Sequence, residues 1–268
     1  MWCIDDCKLN KNRINLQDLC SSGKTDTTIV TLNAEKDSRK YQLEYAPVGN
    51  EIVNPAIIIC GITPGYDTWQ SFLKKLRQSK PIEVATFESI YSNMKVNLFH
   101  YLNYAGLFNY LAAFNSYWAS AKQKSTYEHY WEKLFKDKDA SENCGIQLTQ
   151  ACNCAILRGR DSKQPSKAAI NEICEREPKC LFNRFKKSES LRLIIFLGTT
   201  IGLQKYWGKS CYYKNGVKNI CISHPSGTNR VFNNGDVFKP INSEDTPQLR
   251  NAKRLLENAK NIIKDMEK

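Results

Sequence analysis

Two short turns, each closing a strongly apolar run, constrain this chain more than any other feature. AIIIC (residues 56–60) leads into GITPG (61–65), and VKNICI (217–222) leads into SHPSG (223–227). Apolar, β-branched runs with little polar alternation fill the middle of parallel sheets, which are buried on both faces. In open sheets of that kind, ligands bind beyond the carboxyl ends of the strands. Two polar turns shaped by Gly and Pro at that position are therefore candidate halves of one site, although far apart in sequence.

A chain of 268 residues suits one large α/β domain and is long enough to bury a sizeable core. Its formal net charge of +12 points to a polyanionic partner, because dispersed Lys and Arg release counterions from a phosphate backbone. No apolar stretch approaches the roughly 20 residues of a membrane span, and residues 1–10 are too polar for a signal peptide. A cytoplasmic protein without membrane contact is expected. The eleven cysteines are an odd number, and several, such as Cys60 and Cys221, sit in apolar runs, which fits reduced, buried thiols.

Further elements follow from pattern. Residues 28–32 and 40–45 alternate like two strands of a hairpin at the edge of the core. Trp69, Phe72, Leu73 and Leu76 recur at helical spacing, giving a helix over 69–78 that Pro81 closes. Residues 87–135 are rich in Phe, Tyr, Leu and Asn with helical periodicity and few turn signals, giving two or three helices. Thr246 and Pro247 are a helix start, and Leu249, Ala252, Leu255, Leu256, Ala259, Ile262 and Ile263 form one apolar stripe behind it.

The two turns resemble the two motifs of the uracil-DNA glycosylase superfamily, a strand followed by Gly-x-Asp/Asn/Ala-Pro-Tyr/Gly/Ala and a later strand followed by His/Asn/Met-Pro-Ser. GITPG is closest to the mismatch-specific and single-strand-selective branches. HPSGTNR is similar to the mismatch-specific and thymine-DNA glycosylase loop, which also has an Arg four residues after the Ser, here Arg230 after Ser226. IQLTQACNCAI (146–156) looks like the base-recognition strand of that superfamily. LRLIIFLGTTIGLQKYWG (191–208) looks like its apolar strand, G-x-x turn and helix. Pattern and resemblance together predict an α/β fold, a three-layer αβα sandwich with a central, mostly parallel four-stranded sheet. A single domain spans 1–268, with an N-terminal extension (1–50), a helical insertion (81–143) and a C-terminal helix (246–268).

The resemblance implies a monofunctional DNA glycosylase that flips out a base and hydrolyses its N-glycosidic bond. That bond breaks toward an oxocarbenium-like sugar and an anionic base, so the protein must stabilise the anion and place a water. His224 is the expected donor to the base O2, and needs no charge to donate. Thr63 stands where the resembled branches carry Asn or Asp; its hydroxyl binds water but cannot act as a base near neutral pH. Asp67 is the candidate acid that helps it, or else caps the helix that follows.

Gly61 and Ile62 line the base pocket. Gly65 stands where the uracil-specific branch has a Tyr that blocks pyrimidine C5, so a 5-substituted pyrimidine fits, such as a hydroxymethylated or glucosylated cytosine of phage DNA. Gln150 replaces the Asn that reads the base edge, with Asn153, of opposite strand parity, as a second candidate. Tyr66 or Phe72 would stack on the base. Gly227, Thr228, Asn229 and Arg230, after Ser226, would enter the gap left by flipping, while Arg158, Arg160 and Lys163, with Lys186 and Lys187, would hold phosphates.

No cofactor or metal is expected. One branch of the superfamily holds an iron–sulfur cluster, but Cys3, Cys7, Cys152, Cys154, Cys174 and Cys180 form no C-x-x-C pair. DNA, duplex or single-stranded, is the expected partner of a monomer. Two other functions fit: a catalytically silent sensor of modified bases, because Thr63 removes the usual catalytic side chain, and a nucleoside or nucleotide hydrolase, which the basic charge disfavours. An ordinary uracil repair enzyme is the alternative within the glycosylase class.

Overall fold

The computed structural model describes residues 28–31, 40–45, 48–50, 52, 54–62, 65–91, 94–150, 154–157, 189–198, 216–225 and 235–268. Strands β1 (Thr28–Thr31), β2 (Lys40–Tyr45) and β3 (Ile57–Gly61) come first. Seven helices follow: α1 (Tyr66–Arg77), α2 (Ile82–Ser89), α3 (Lys95–Tyr104), α4 (Leu107–Ala112), α5 (Ser116–Gln123), α6 (Tyr127–Lys133) and α7 (Lys138–Asn143). Then come β4 (Ile146–Gln150), β5 (Cys154–Leu157), β6 (Leu193–Leu197), β7 (Lys218–Ile222) and a long last helix, α8 (Pro247–Met266).

The central sheet is four-stranded in the order β4-β3-β6-β7, and every pairing in it is parallel. Its apolar runs are buried on both sides, as their lack of polar alternation requires. Ile57 and Ile59 of β3 join Ile146, Leu148, Leu193, Ile195, Leu197, Ile220 and Ile222 in one large core with Phe72, Leu73 and Leu76 of α1. The alternate residues Ile58, Cys60, Ile194, Phe196 and Cys221 fill a second, smaller core on the other face. This is an α/β sandwich around a parallel sheet, the expected fold class.

Several elements differ from expectation. Residues 146–156 are not one strand: β4 leaves the central sheet after Gln150, and β5 pairs antiparallel with β2, Tyr45 opposite Cys154. The expected β1–β2 hairpin pairing is present, and β5 completes a second sheet in the order β1-β2-β5. Because β4 ends at Gln150, strand parity does not relate Gln150 to Asn153, which lies outside the described residues.

Pro81 does not close the first helix either; α1 ends at Arg77, Ser79 takes a left-handed turn (φ 58°), and Pro81 caps the start of α2. The stretch read as two or three helices is broken into more and shorter ones. The breaks are single residues: Gly106 at φ 86° before α4, Asn115 capping α5 by accepting from the Trp118 N–H, and Asp137 capping α7.

The last helix starts as predicted, with Thr246 Oγ1 accepting from the Leu249 N–H at 3.2 Å. Its buried face also holds Lys253, absent from the apolar stripe, whose ammonium bonds both Asp245 oxygens (2.7 and 2.8 Å) and the Pro240 carbonyl (2.9 Å). Among the described residues no helix is long and apolar enough to cross a membrane.

Candidate functional site

Because β4 lies on one side of β3 and β6 on the other, the connections leaving the sheet diverge between β3 and β6, the point where open α/β sheets bind ligands. Here the ends of all four strands converge. A Cβ placed on Gly198, just after β6, would lie 3.4 Å from Ile62 Cδ1 and 3.8 Å from His224 Cβ, so the turns after β3, β6 and β7 touch. Gly198 sits at φ 97°, which only glycine adopts freely. Its N–H donates to the Ile222 carbonyl at 2.7 Å, and its own carbonyl accepts from Cys221 Sγ at 2.9 Å. Burial pushes that thiol up to about 11, so it keeps the proton it donates.

At the other edge, Gln150 and Gly61 are register partners. A Cβ on Gly61 would overlap Gln150 Oε1 and come within 2.8 Å of Cδ; glycine at 61 is the condition for the amide to lie there. Gln150 is buried, and its Oε1 has no hydrogen-bond partner. Gln150 continues the parity of Ile146 and Leu148, both in the large core, so its side chain belongs to the sheet face that α1 covers. His224 lies beyond the end of β7, against Gly198. The two inner strands run into Gly61 and Gly198, neither with a side chain. The Gln150 amide thus lies over Gly61 and His224 lies against Gly198, at the ends of two adjacent strands.

Neighbouring helices fix this arrangement. Tyr91, at φ 52°, inserts its buried hydroxyl between the ends of β3 and β4. It accepts from the Gly61 N–H (3.1 Å) and faces the carbonyls of Thr149 (2.7 Å) and Ile59 (3.0 Å) as donor. Burial holds its phenol well above the ordinary value, so the donor proton stays. From α3, Asn97 Nδ2 donates to the Pro225 carbonyl at 3.1 Å, and Tyr101 bonds the Ser223 backbone and donates to the Ala252 carbonyl at 3.1 Å. None of these three was legible as a site residue: each is an ordinary polar or aromatic residue within a helical pattern.

His224 is half-buried, and that burial lowers its pKa, so the imidazole is neutral near pH 7. Gly65 is exposed with nothing within 4 Å of where a Cβ would stand, and it occupies the N-cap of α1. Asp67 is therefore not the capping residue but stands exposed in the first turn, where the helix dipole favours a carboxylate. Tyr66 is 41% exposed and tilts against Trp69 with ring centroids 5.7 Å apart. Phe72, by contrast, is wholly buried in the large core. Its ring has no free face for a base, which leaves Tyr66 as the exposed one of the two expected stacking residues.

The structure thus gathers Gly61, Ile62, Gln150 and His224 at one sheet end and sets Gly65, Tyr66 and Asp67 on the helix start that follows β3. Thr63, Asn153, Arg158, Arg160, Lys163, Lys186, Lys187, Ser226, Gly227, Thr228, Asn229 and Arg230 lie outside the described residues, as do Cys3, Cys7, Cys152, Cys174 and Cys180. No protein-family model matches the chain, and no curated protein matches it.

Proposed function

We propose that this chain is a monofunctional DNA glycosylase of the uracil-DNA glycosylase type. It hydrolyses the N-glycosidic bond of a flipped, 5-modified pyrimidine and leaves an abasic site. The observation that carries this reading is the pair of polar side chains, Gln150 over Gly61 and His224 against Gly198, at the carboxyl ends of adjacent strands. A planar ring set beside them meets an amide able to read its edge and a neutral imidazole able to donate to its O2 as negative charge develops. Open space at Gly65 leaves room for a substituent at C5. Tyr66 stacks on the ring.

Thr63 and Asp67 position the water, Ser226 to Arg230 enter the gap in the duplex, and Arg158, Arg160 and Lys163 hold phosphates of a DNA partner. The net charge of +12 supports that partner. A cytoplasmic monomer acting against modified phage DNA is the context proposed.

The test is mass spectrometry of bases released from DNAs carrying uracil, thymine mismatches, 5-hydroxymethylcytosine or glucosylated cytosine. Release of a bulky 5-modified base ahead of uracil is expected. Fastest release of uracil would make this an ordinary repair enzyme. Thr63, in place of an amide or carboxylate, favours a second reading, a silent sensor of modified bases. A sensor shifts the mobility of such DNA without leaving alkali-labile sites.

A further inference from the structure

We infer that Trp69 is a second base-reading residue, its indole N–H donating to an acceptor on the bound pyrimidine. This rests on the glycosylase reading and names a contact that reading did not contain. Trp69 Nε1 is buried without a hydrogen-bond partner among the described residues. The other two described tryptophans show what a purely structural indole does in this fold: Trp118 Nε1 donates to the Cys144 carbonyl at 2.7 Å, and Trp131 Nε1 to the Lys95 carbonyl at 2.9 Å. Native proteins rarely leave a buried donor unmatched, so the exception at Trp69 marks a partner that arrives with a ligand.

Its position agrees. Trp69 donates its backbone N–H to the Gly65 carbonyl at 3.0 Å, so it lies in the first turn of α1, beside the strand ends. It shares the helix face of Phe72, Leu73 and Leu76 and packs on the same core whose sheet face carries Gln150. Helix α1 also packs against β5, the strand into which the chain runs after Gln150. One end of the fold thus holds an unmatched donor, Trp69 Nε1, and an unmatched acceptor, Gln150 Oε1. The Watson–Crick edge of a pyrimidine offers the complement, an acceptor beside a donor: O4 and N3–H in uracil, N3 and the N4 amine in cytosine. Tyr66, exposed and tilted over Trp69, covers the indole from the solvent side.

The experiment uses the full chain carrying His224→Ala, so that substrate is not consumed, with and without Trp69→Phe, which keeps the ring and deletes the N–H. Affinities are measured for single-stranded oligonucleotides bearing one uracil, one 5-hydroxymethylcytosine or no modified base. Trp69→Phe should weaken binding of the preferred modified oligonucleotide about 3- to 10-fold, the range for one neutral hydrogen bond. Binding of the unmodified strand and the unfolding midpoint should hold. Equal affinity of both proteins for the modified oligonucleotide overturns the assignment, as does a parallel loss on all three strands with a lowered midpoint. If His224→Ala alone prefers neither modified strand, the glycosylase reading fails first and takes Trp69 with it.

Discussion

His224 and Gly65 are the two positions where one side chain decides the outcome. On the proposed reading a neutral His224 donor acts like an oxyanion-hole group, so His224→Ala should slow single-turnover base release by roughly 10²–10³-fold while DNA binding persists. Unchanged release would remove His224 from the mechanism. Its burial also links it to acid stability. The pKa is lowered in the fold, so as pH falls below about 6.5 the unfolded chain takes up this proton first. In the window between 6.5 and the lowered value the unfolded state binds more protons, and stability rises with pH through it. His224→Asn should therefore flatten the loss of urea midpoint between pH 7.5 and 5.5. An identical slope in both proteins would show that other groups carry the loss.

Gly65, with open space around it and φ of −71°, accepts any side chain without backbone strain. Gly65→Tyr should abolish release of a bulky 5-modified base yet cost at most about 1 kcal/mol of stability, the scale of an N-cap change. Retained release would mean that the substituent lies elsewhere.

At the scale of elements, the site depends on helix α3 gripping the turn after β7. Asn97, through its bond to Pro225, is a positioning residue for His224. Asn97→Ala should slow base release about tenfold in the native background and have no further effect when His224 is already Ala, because contacting residues acting through one group are not additive. Independent losses in the two backgrounds would give Asn97 a role of its own. This dependence also separates what the chain discloses from what it conceals. Strands β3 and β6 and the end of β7 are legible because burial on both faces leaves an apolar run, and the start of α8 because Thr246 and Pro247 act through local geometry. The split between β4 and β5 is not: β4 buries polar Gln147 and Thr149 beside its apolar residues, and only the pairing with β2 sets β5 apart. Likewise Gln150 and His224 are singled out in the sequence by their places in the resembled motifs, whereas Tyr91, Asn97 and the Trp69 N–H stand out only in the folded structure.

On the scale of the whole molecule, a site of neutral groups sits in a chain of net charge +12, and the two features divide the work. On the proposed reading, Gln150 and His224 discriminate a base but supply little affinity for a polymer, while phosphate contacts supply affinity but read no base. Affinity should therefore fall steeply with salt while preference for a modified base does not. For duplex DNA each phosphate contact contributes about −0.9 to the slope of log K against log salt. Replacing Arg158, Arg160 and Lys163 together by Gln should make that slope less negative by roughly 2.7 if each holds one phosphate. The ratio of affinities for modified and unmodified duplex should stay as it was. A slope that does not change would take all three residues off the DNA, and a lost preference at constant slope would move the reading of the base from the strand ends to that basic segment.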